Sequence, residues 1–463
     1  MKFLKKQNNS LANEIDWRHF YKQVLMLVIP MALQNLINVG VNATDVMMLG
    51  RVGEKVLSGS SLAGQVQFVM TLFLFGITSG ATVLTAQYWG KKDTRSIEKI
   101  MGIGMFAGIS AGLIFTIASE LIPAQILRIY TSDPAVIEEG VKYLRIVALS
   151  YVLVAMTQVY LYIMRSIERV IIATVVYGTS LVTNFVLNAV LIFGLFGFPE
   201  LGIRGAAIAT LVSRIIEFSI VVWYSKVKNK IVRFRFKDMF HIDKALLKDF
   251  LIYAAPVIVN ELLWGLGSST NTAIIGHLGS AAVAANSVAQ VTRQMATVVV
   301  FGVSNATAIY LGKTIGEKKY ELAKIYGGKF VKLSLITGLL GGVMILLVSP
   351  IINHVMALSP EAQSYVTFMF FVMSYFTVCQ ALNTTIIVGV LRSGGDTKYG
   401  LLVDIGGMWC FSILFGAIAA FKFHASVPIV YMILMSDEVI KVPIALQRFY
   451  SYKWIKNVTR ENS

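Results

Sequence analysis

The chain has 463 residues, 56% of them hydrophobic and 14% charged, against about 25% charged in ordinary soluble domains. Apolar runs near twenty residues long recur from end to end, which excludes a soluble domain and also the alternating strands of an outer-membrane barrel. The formal charge of +16 sits in alternate loops, where it marks topology and not a nucleic-acid partner.

The first 21 residues, MKFLKKQNNSLANEIDWRHFY, are polar and lack an apolar core with a cleavage site, so no signal peptide is expected there. Twelve spans follow, at about 23–48, 57–82, 97–119, 141–163, 171–194, 204–225, 249–275, 283–309, 329–350, 365–391, 399–421 and 427–448. The first is unusual for its polar content. Gln34, Asn35, Asn38, Asn42 and Asp45 fall within an arc of roughly 100° on one helix face. Lipid cannot hydrogen-bond a carboxamide, so that face looks into protein or a water-filled cavity. A mid-span carboxylate costs roughly 2.5–3.5 kcal/mol and commonly marks an ion or substrate path; late in the span, Asp45 could instead reach the interface.

Basic residues follow the even-numbered spans. Lys91, Lys92, Arg95 and Lys99 come after the second, eight Lys/Arg lie between Lys226 and Lys248, and Lys313, Lys318, Lys319 and Lys324 follow the eighth. The odd-to-even loops, such as His277–Ser280, are poor in them or balanced by acids, so both termini are expected to be cytoplasmic. Trp17 and Tyr21, Tyr88 and Trp89, Trp223 and Tyr224, and Tyr452 and Trp454 sit at span ends as interface anchors.

The two halves repeat. A shift of 226 residues carries Pro30 onto Pro256, Gly50 onto Gly276, Gly53 onto Gly279, Gly76 onto Gly302, Gly90 onto Gly316 and Lys92 onto Lys318. One further residue brings Arg165-Ser166 onto Arg392-Ser393. Six spans is an even number, so both halves share one orientation and are related by an axis along the membrane normal. The expected organisation is a cytoplasmic segment 1–22, an N-lobe 23–225, a basic cytoplasmic linker 226–248, a C-lobe 249–448 and a cytoplasmic tail 449–463. Within the linker, DMFHIDKALLKDF is expected to form a short surface helix. Glycine and alanine in 97–119 and 401–420 read as close helix packing.

The N-terminal half holds a polar set inside its spans. Asn184 and Asn188 are one turn apart on the fifth, and Thr210, Ser213 and Glu217 share a face of the sixth. With Asp45 they could bind a proton, or sodium through hard oxygen ligands, or they could simply glue helices together. Asn38 and Asn42 are candidates for a substrate cavity. The second half is no chemical copy: Asp45 meets Asn271, Asn35 meets Glu261, and Asn38 meets Trp264. There Glu261 and Arg293 are expected to pair, and Glu261, Trp264, Arg293 and Asp404 are candidates for a polar or substrate cavity. Glu438 and Lys441, three residues apart, suggest a local salt bridge.

Other chemistries lack their residues. Gly312-Lys313-Thr314 resembles the end of a phosphate loop, but the required upstream glycine is Thr307. No HExxH or GxSxG occurs, Cys379 and Cys410 lie inside spans, and the five histidines (19, 241, 277, 354 and 424) have no metal-ligand spacing.

The sequence resembles the multidrug and toxic compound extrusion (MATE) transporters over about residues 20–455. The resemblance is carried by Pro30 with Asp45-x7-Gly53, AQYWGKKD at 86–93, NFVLNAVLIFG at 184–194, LGIRGAAIAT at 201–210, and by AAPVIVNELLW and ATAIYLGKTIG in the second half. It implies twelve helices in two six-helix lobes, and export of organic, often cationic, compounds against inward H⁺ or Na⁺. It also implies a cation site on Asp45, Asn184, Asn188 and Thr210. Another branch of the family places a Glu and an Asp where this chain has Trp264 and Ala381, which puts a cation site in the second lobe in doubt.

The reading is therefore an all-α polytopic membrane protein, twelve transmembrane helices in two pseudo-symmetric six-helix lobes. It would act as a monomer in the plasma membrane, an ion-coupled antiporter with no cofactor and no enzymatic activity, exporting amphiphilic compounds by alternating access. The alternative is a flippase for a lipid-linked saccharide, whose cavity would hold more cationic residues.

Overall fold

The computed structural model describes residues 15–235, 237–355 and 359–461. The first fourteen and last two residues of the expected terminal segments, and the side chain of His354, lie outside the described residues. The described chain is a succession of α-helices with no strand among them. They are α1 (Trp17–Val52), α2 (Glu54–Gly90), α3 (Thr94–Leu121), α4 (Pro134–Ala148), α5 (Tyr151–Ser166), α6 (Ile171–Phe193) and α7 (Gly202–Trp223). There follow α8 (Lys244–Gly276), α9 (Ser280–Gly316), α10 (Tyr320–Val355), α11 (Pro360–Thr384), α12 (Thr397–Ile405), α13 (Val427–Leu434) and α14 (Asp437–Tyr450). Among the described residues, ten helical spans are long and apolar enough to cross a bilayer, and α4 with α5 makes an eleventh. This is a polytopic membrane protein.

Local chemistry sets the helix ends. Asp93 caps α3 by accepting from the Ser96 N–H at 3.0 Å, and Ser359 caps α11 by accepting from the Ala362 N–H at 3.2 Å. Gly194 ends α6 in the left-handed region, at φ 66°. Two expected spans are interrupted. The fourth bends by 51° between α4 and α5. The Thr116 hydroxyl of α3 donates to the freed Ala148 carbonyl at 2.8 Å, and the Ser150 hydroxyl donates to that of Val147 at 2.6 Å. The twelfth breaks at Met435-Ser436, where the Ser412 hydroxyl donates to the Ile433 and Leu434 carbonyls. The tenth and eleventh spans continue through wider i→i+5 turns at Thr385–Leu391, Gly406–Ile413 and Ile418–Lys422.

The chain divides into two compact units. Unit 1 comprises the described parts of Met1–Ala32 and Val259–Ser463 together with Thr82–Lys92; unit 2 comprises Leu33–Ala81 and Asp93–Ile258. In unit 1, Phe370, Met373, Val430 and Tyr431 are among the fully buried residues of an apolar core. Phe20 of α1 stacks on Tyr326, with ring centres 4.9 Å apart. In unit 2, the glycines of α3 admit α5: a methyl group on Gly112 would meet Val152 Cα at 3.0 Å.

The 226-residue repeat reappears in the packing. A methyl on Gly76 would meet Ile258 Cα at 2.5 Å within unit 2; the matching Gly302 would bring one to the Ala32 nitrogen at 3.4 Å within unit 1. At the ends of α2 and α9 the relation closes on itself. A methyl on Gly90 would run into the Lys313 carbonyl, and one on Gly316 into the Gln87 carbonyl, the same contact seen from either side. Both crossings require glycine because backbone meets backbone there.

The basic linker belongs to unit 2. Its expected surface helix is a single turn, Lys237–Phe240, since KALLKDF is already the start of α8. Asp238 forms a bidentate pair with Arg95 of α3, both distances 2.6 Å. Glu98 accepts from the Arg233 N–H at 2.8 Å, and Asn229 accepts from Ile231 and donates to the Tyr160 hydroxyl at 3.0 Å. Lys99 lies 3.1 Å from Asp243 and holds that carboxyl below its usual value of 3.8. A depressed carboxylate stabilises the docked state above its unfolded pKa and loses that contribution as pH falls through the lower folded value. Hydrogen exchange of residues 237–243, corrected for intrinsic rates, should therefore be unchanged at neutral pH and accelerate below about pH 3.8. Asp243→Asn should remove that acid step; its persistence would assign the step elsewhere.

Candidate cation site

The first-span carboxylate meets its partners within unit 2. Asp45, half-buried on α1, accepts a hydrogen bond from Asn188 Nδ2 of α6 at 2.5 Å. The same nitrogen donates to Asn184 Oδ1 at 3.0 Å, and Asn184 Nδ2 reaches Thr210 Oγ1 of α7 at 3.5 Å. Asn184, Asn188 and Thr210 are all buried. The spacing explains the convergence: one turn of α6 puts both carboxamides on the face toward α1 and α7. Asn188 spends both its amide hydrogens, and among the described residues nothing donates to its buried Oδ1.

That orphan oxygen matters chemically. A buried carbonyl oxygen without a donor costs about 1–3 kcal/mol. A cation, or a protonated Asp45 after the amide turns over, would satisfy it. Asp45, Asn184, Asn188 and Thr210 thus supply hard oxygen donors and one titratable group, a set fit for a proton or a small monovalent cation.

Other residues of the expected set take different partners. The Ser213 hydroxyl donates to the Ala209 carbonyl at 2.8 Å, and Glu217 is held by Arg214 at 2.6 Å. Asn38 and Asn42 are exposed on α1. The structure adds Tyr143 of α4, a buried residue within electrostatic reach of Asp45. Its only signal in the sequence is an aromatic residue with a polar tip on the fourth span.

In unit 1 the expected Glu261–Arg293 pair does not form. Glu261 accepts from Arg392 at 2.8 Å, while Arg293 donates to Gln290 at 2.8 Å and to Gln380 at 3.2 Å. Adjacent spans were the wrong guide, because rotation about each helix axis turns Arg392, at the end of the tenth span, onto α8. Trp264 packs against the apolar core, and Asp404 joins Lys441 at 2.9 Å and Asn260 at 3.0 Å. The Glu438–Lys441 salt bridge is present at 2.7 Å.

Relatives fit this architecture. A probable multidrug resistance protein, NorM, of Thermotoga maritima is 24% identical over 95% of both chains. The probable multidrug resistance protein YoeA of Bacillus subtilis is 23% identical over 84% of both. A variant of the Vibrio cholerae MATE transporter VcmN superimposes with a TM-score of 0.85 at 17% identity, covering 94% of this chain and 98% of that one. The family profile MatE matches twice, over residues 30–190 and 256–418, the two matches beginning at the repeat-related prolines. The chain therefore belongs to the MATE family of multidrug efflux transporters.

Proposed function

We propose that this transporter exports amphiphilic, often cationic, organic compounds in exchange for inward H⁺ or Na⁺, with Asp45 as the coupling group. The observation that carries the reading is the Asp45–Asn188 pair with a buried, unsatisfied amide oxygen beside it. Empty, the site is an anion held in a low-dielectric surround; loaded, it is neutral or paired. A ligand shifts a conformational equilibrium only by its differential affinity, so the loaded and empty forms must favour opposite-facing states. Phe, Met, Tyr and Trp side chains suit many amphiphiles, because methionine repacks readily.

Counter-flow tests this. Purified protein in liposomes loaded with a fluorescent cationic drug should release it when an outward-to-inward pH or Na⁺ gradient is imposed. The gradient that drives release identifies the ion. Release under neither gradient would sink the coupling proposal.

We place both termini and the linker in the cytoplasm, with the protein acting as a monomer in the plasma membrane. With Cys379 and Cys410 replaced, Ser280→Cys should react with an impermeant maleimide in intact cells and Lys230→Cys only after lysis. Both positions are exposed in the fold. The reverse pattern would invert the topology.

A further inference from the structure

Unit 1 holds a buried ionic assembly that the Asp45 site does not use. Lys441 of α14, 1% exposed, places its ammonium 2.9 Å from Asp404, 3.0 Å from Asp437 and 2.7 Å from Glu438. Gly407 makes room for the lysine stem, since a methyl there would meet its Cγ at 2.8 Å. From α8, Glu261 accepts from Arg392; from α9, Arg293, whose guanidinium bonds Gln290 and Gln380, lies within electrostatic reach of Asp437 and Glu438. Cys379 of α11 lies near Glu438, and Tyr431 of α13 near Arg293.

Charge does not balance here. Four carboxylates face three cations, leaving one negative charge over in a buried place. An uncompensated buried charge costs several kcal/mol. The N-terminus of α14 offers about half a charge to Asp437 and Glu438, which offsets part of this. Adjacent carboxylates of like sign, sharing one lysine, cannot both remain ionised cheaply.

A second observation points the same way. Asn260 Nδ2 donates to Asp404 at 3.0 Å, and Asn383 Nδ2 donates to Glu438 Oε2 at 2.7 Å. Both amides are more than nine-tenths buried, and among the described residues nothing donates to the Oδ1 of either. An amide can donate to a carboxylate or, turned over, accept from a carboxyl O–H, so each reads either charge state of its partner. The lysine ammonium already occupies the space between the carboxylates. Among the described residues, no three His, Cys, Asp or Glu are grouped as a metal ion would need.

We propose that the Lys441 assembly takes up one exchangeable proton from water on the Glu438 carboxylate, making it a second proton site in this chain. Uptake forms one O–H bond on a carboxylate oxygen, and release returns that proton to water. The site stands independently of Asp45.

The test is infrared spectroscopy of the purified transporter through a pH titration, in an Asp45→Asn background so that the first site is silent. A protonated-carboxyl stretch should appear above the pH range in which exposed carboxyls titrate, and shift in D₂O. Glu438→Gln, and separately Asp437→Asn, should abolish it, since either brings the assembly to neutrality. If one variant does not fold, the other suffices. Absence of the band in Asp45→Asn, or its survival in either folded variant, would overturn the proposal. Because drug efflux is not measured, failure here leaves the Asp45 reading untouched.

Discussion

Asp45→Asn should insert, fold and still bind drug, yet lose gradient-driven efflux on the order of tenfold or more, the size of change that 1.4 kcal/mol of lost ion preference produces. The substitution preserves shape and removes charge and titration. Asn188 Nδ2, which donates to Asp45 Oδ1 at 2.5 Å, can donate equally to an amide oxygen in its place. Packing among α1, α6 and α7 is therefore retained while the ion loses its charged ligand. Asn188→Asp makes the complementary change. It puts a second carboxylate beside Asp45, which should strengthen cation attraction and alter the balance between H⁺ and Na⁺. Efflux under imposed pH and Na⁺ gradients, with drug binding by fluorescence anisotropy, separates coupling from folding. Wild-type efflux by Asp45→Asn under the same gradient would reduce the polar face of α1 to packing.

Gly316→Ala should destabilise the protein by roughly 3 kcal/mol or more, at the upper end of overpacking costs, although alanine is the better helix former. Its methyl would overlap the Gln87 carbonyl, and a backbone carbonyl cannot swing away as a side chain can. Gly90→Ala strikes Lys313 in the same way. Gly328→Ala is the matched control: it lies within α10 with nothing within 4 Å of the added methyl. It should raise stability by about 0.5–1 kcal/mol through lost unfolded-state entropy. Thermal unfolding in detergent should thus move in opposite directions for two chemically identical substitutions. Equal shifts would mean that the α2–α9 crossing is looser than its geometry states.

Much of this was legible because a membrane simplifies the code. A carboxamide or carboxylate inside an apolar run must face protein or water, so Asp45, Asn184 and Asn188 could be read as facing inward, while the choice of Thr210 over Ser213 and Glu217 came from the family resemblance. The repeat was legible because glycine at Gly90 and Gly316 is dictated by one shared contact. Partner choice was not. Arg392 read only as a repeat marker, since sequence position fixes depth along a helix but not its rotation. The bend at residues 149–150 has no proline or glycine to announce it; it depends on Thr116, a residue of another helix. Tyr143 escaped for a related reason, because an aromatic residue in an apolar run does not say which way it turns.

The buried Gln87 amide has implications for synthesis. Gln87 Nε2 donates to the carbonyls of Ser393 at 2.7 Å and Lys456 at 3.0 Å, and its Oε1 accepts from the Val458 N–H at 2.8 Å. Nearby, the fully buried Trp454 ring stacks on Phe449. During translation the end of α2 therefore waits for these partners until residues 456–458 leave the ribosome. Unit 2 has every segment in hand once Ile258 has emerged, whereas unit 1 joins residues before Leu33 to residues after Ile258. The expected order of assembly is unit 2 first and unit 1 last, with residues 454–458 acting as the closing stitch.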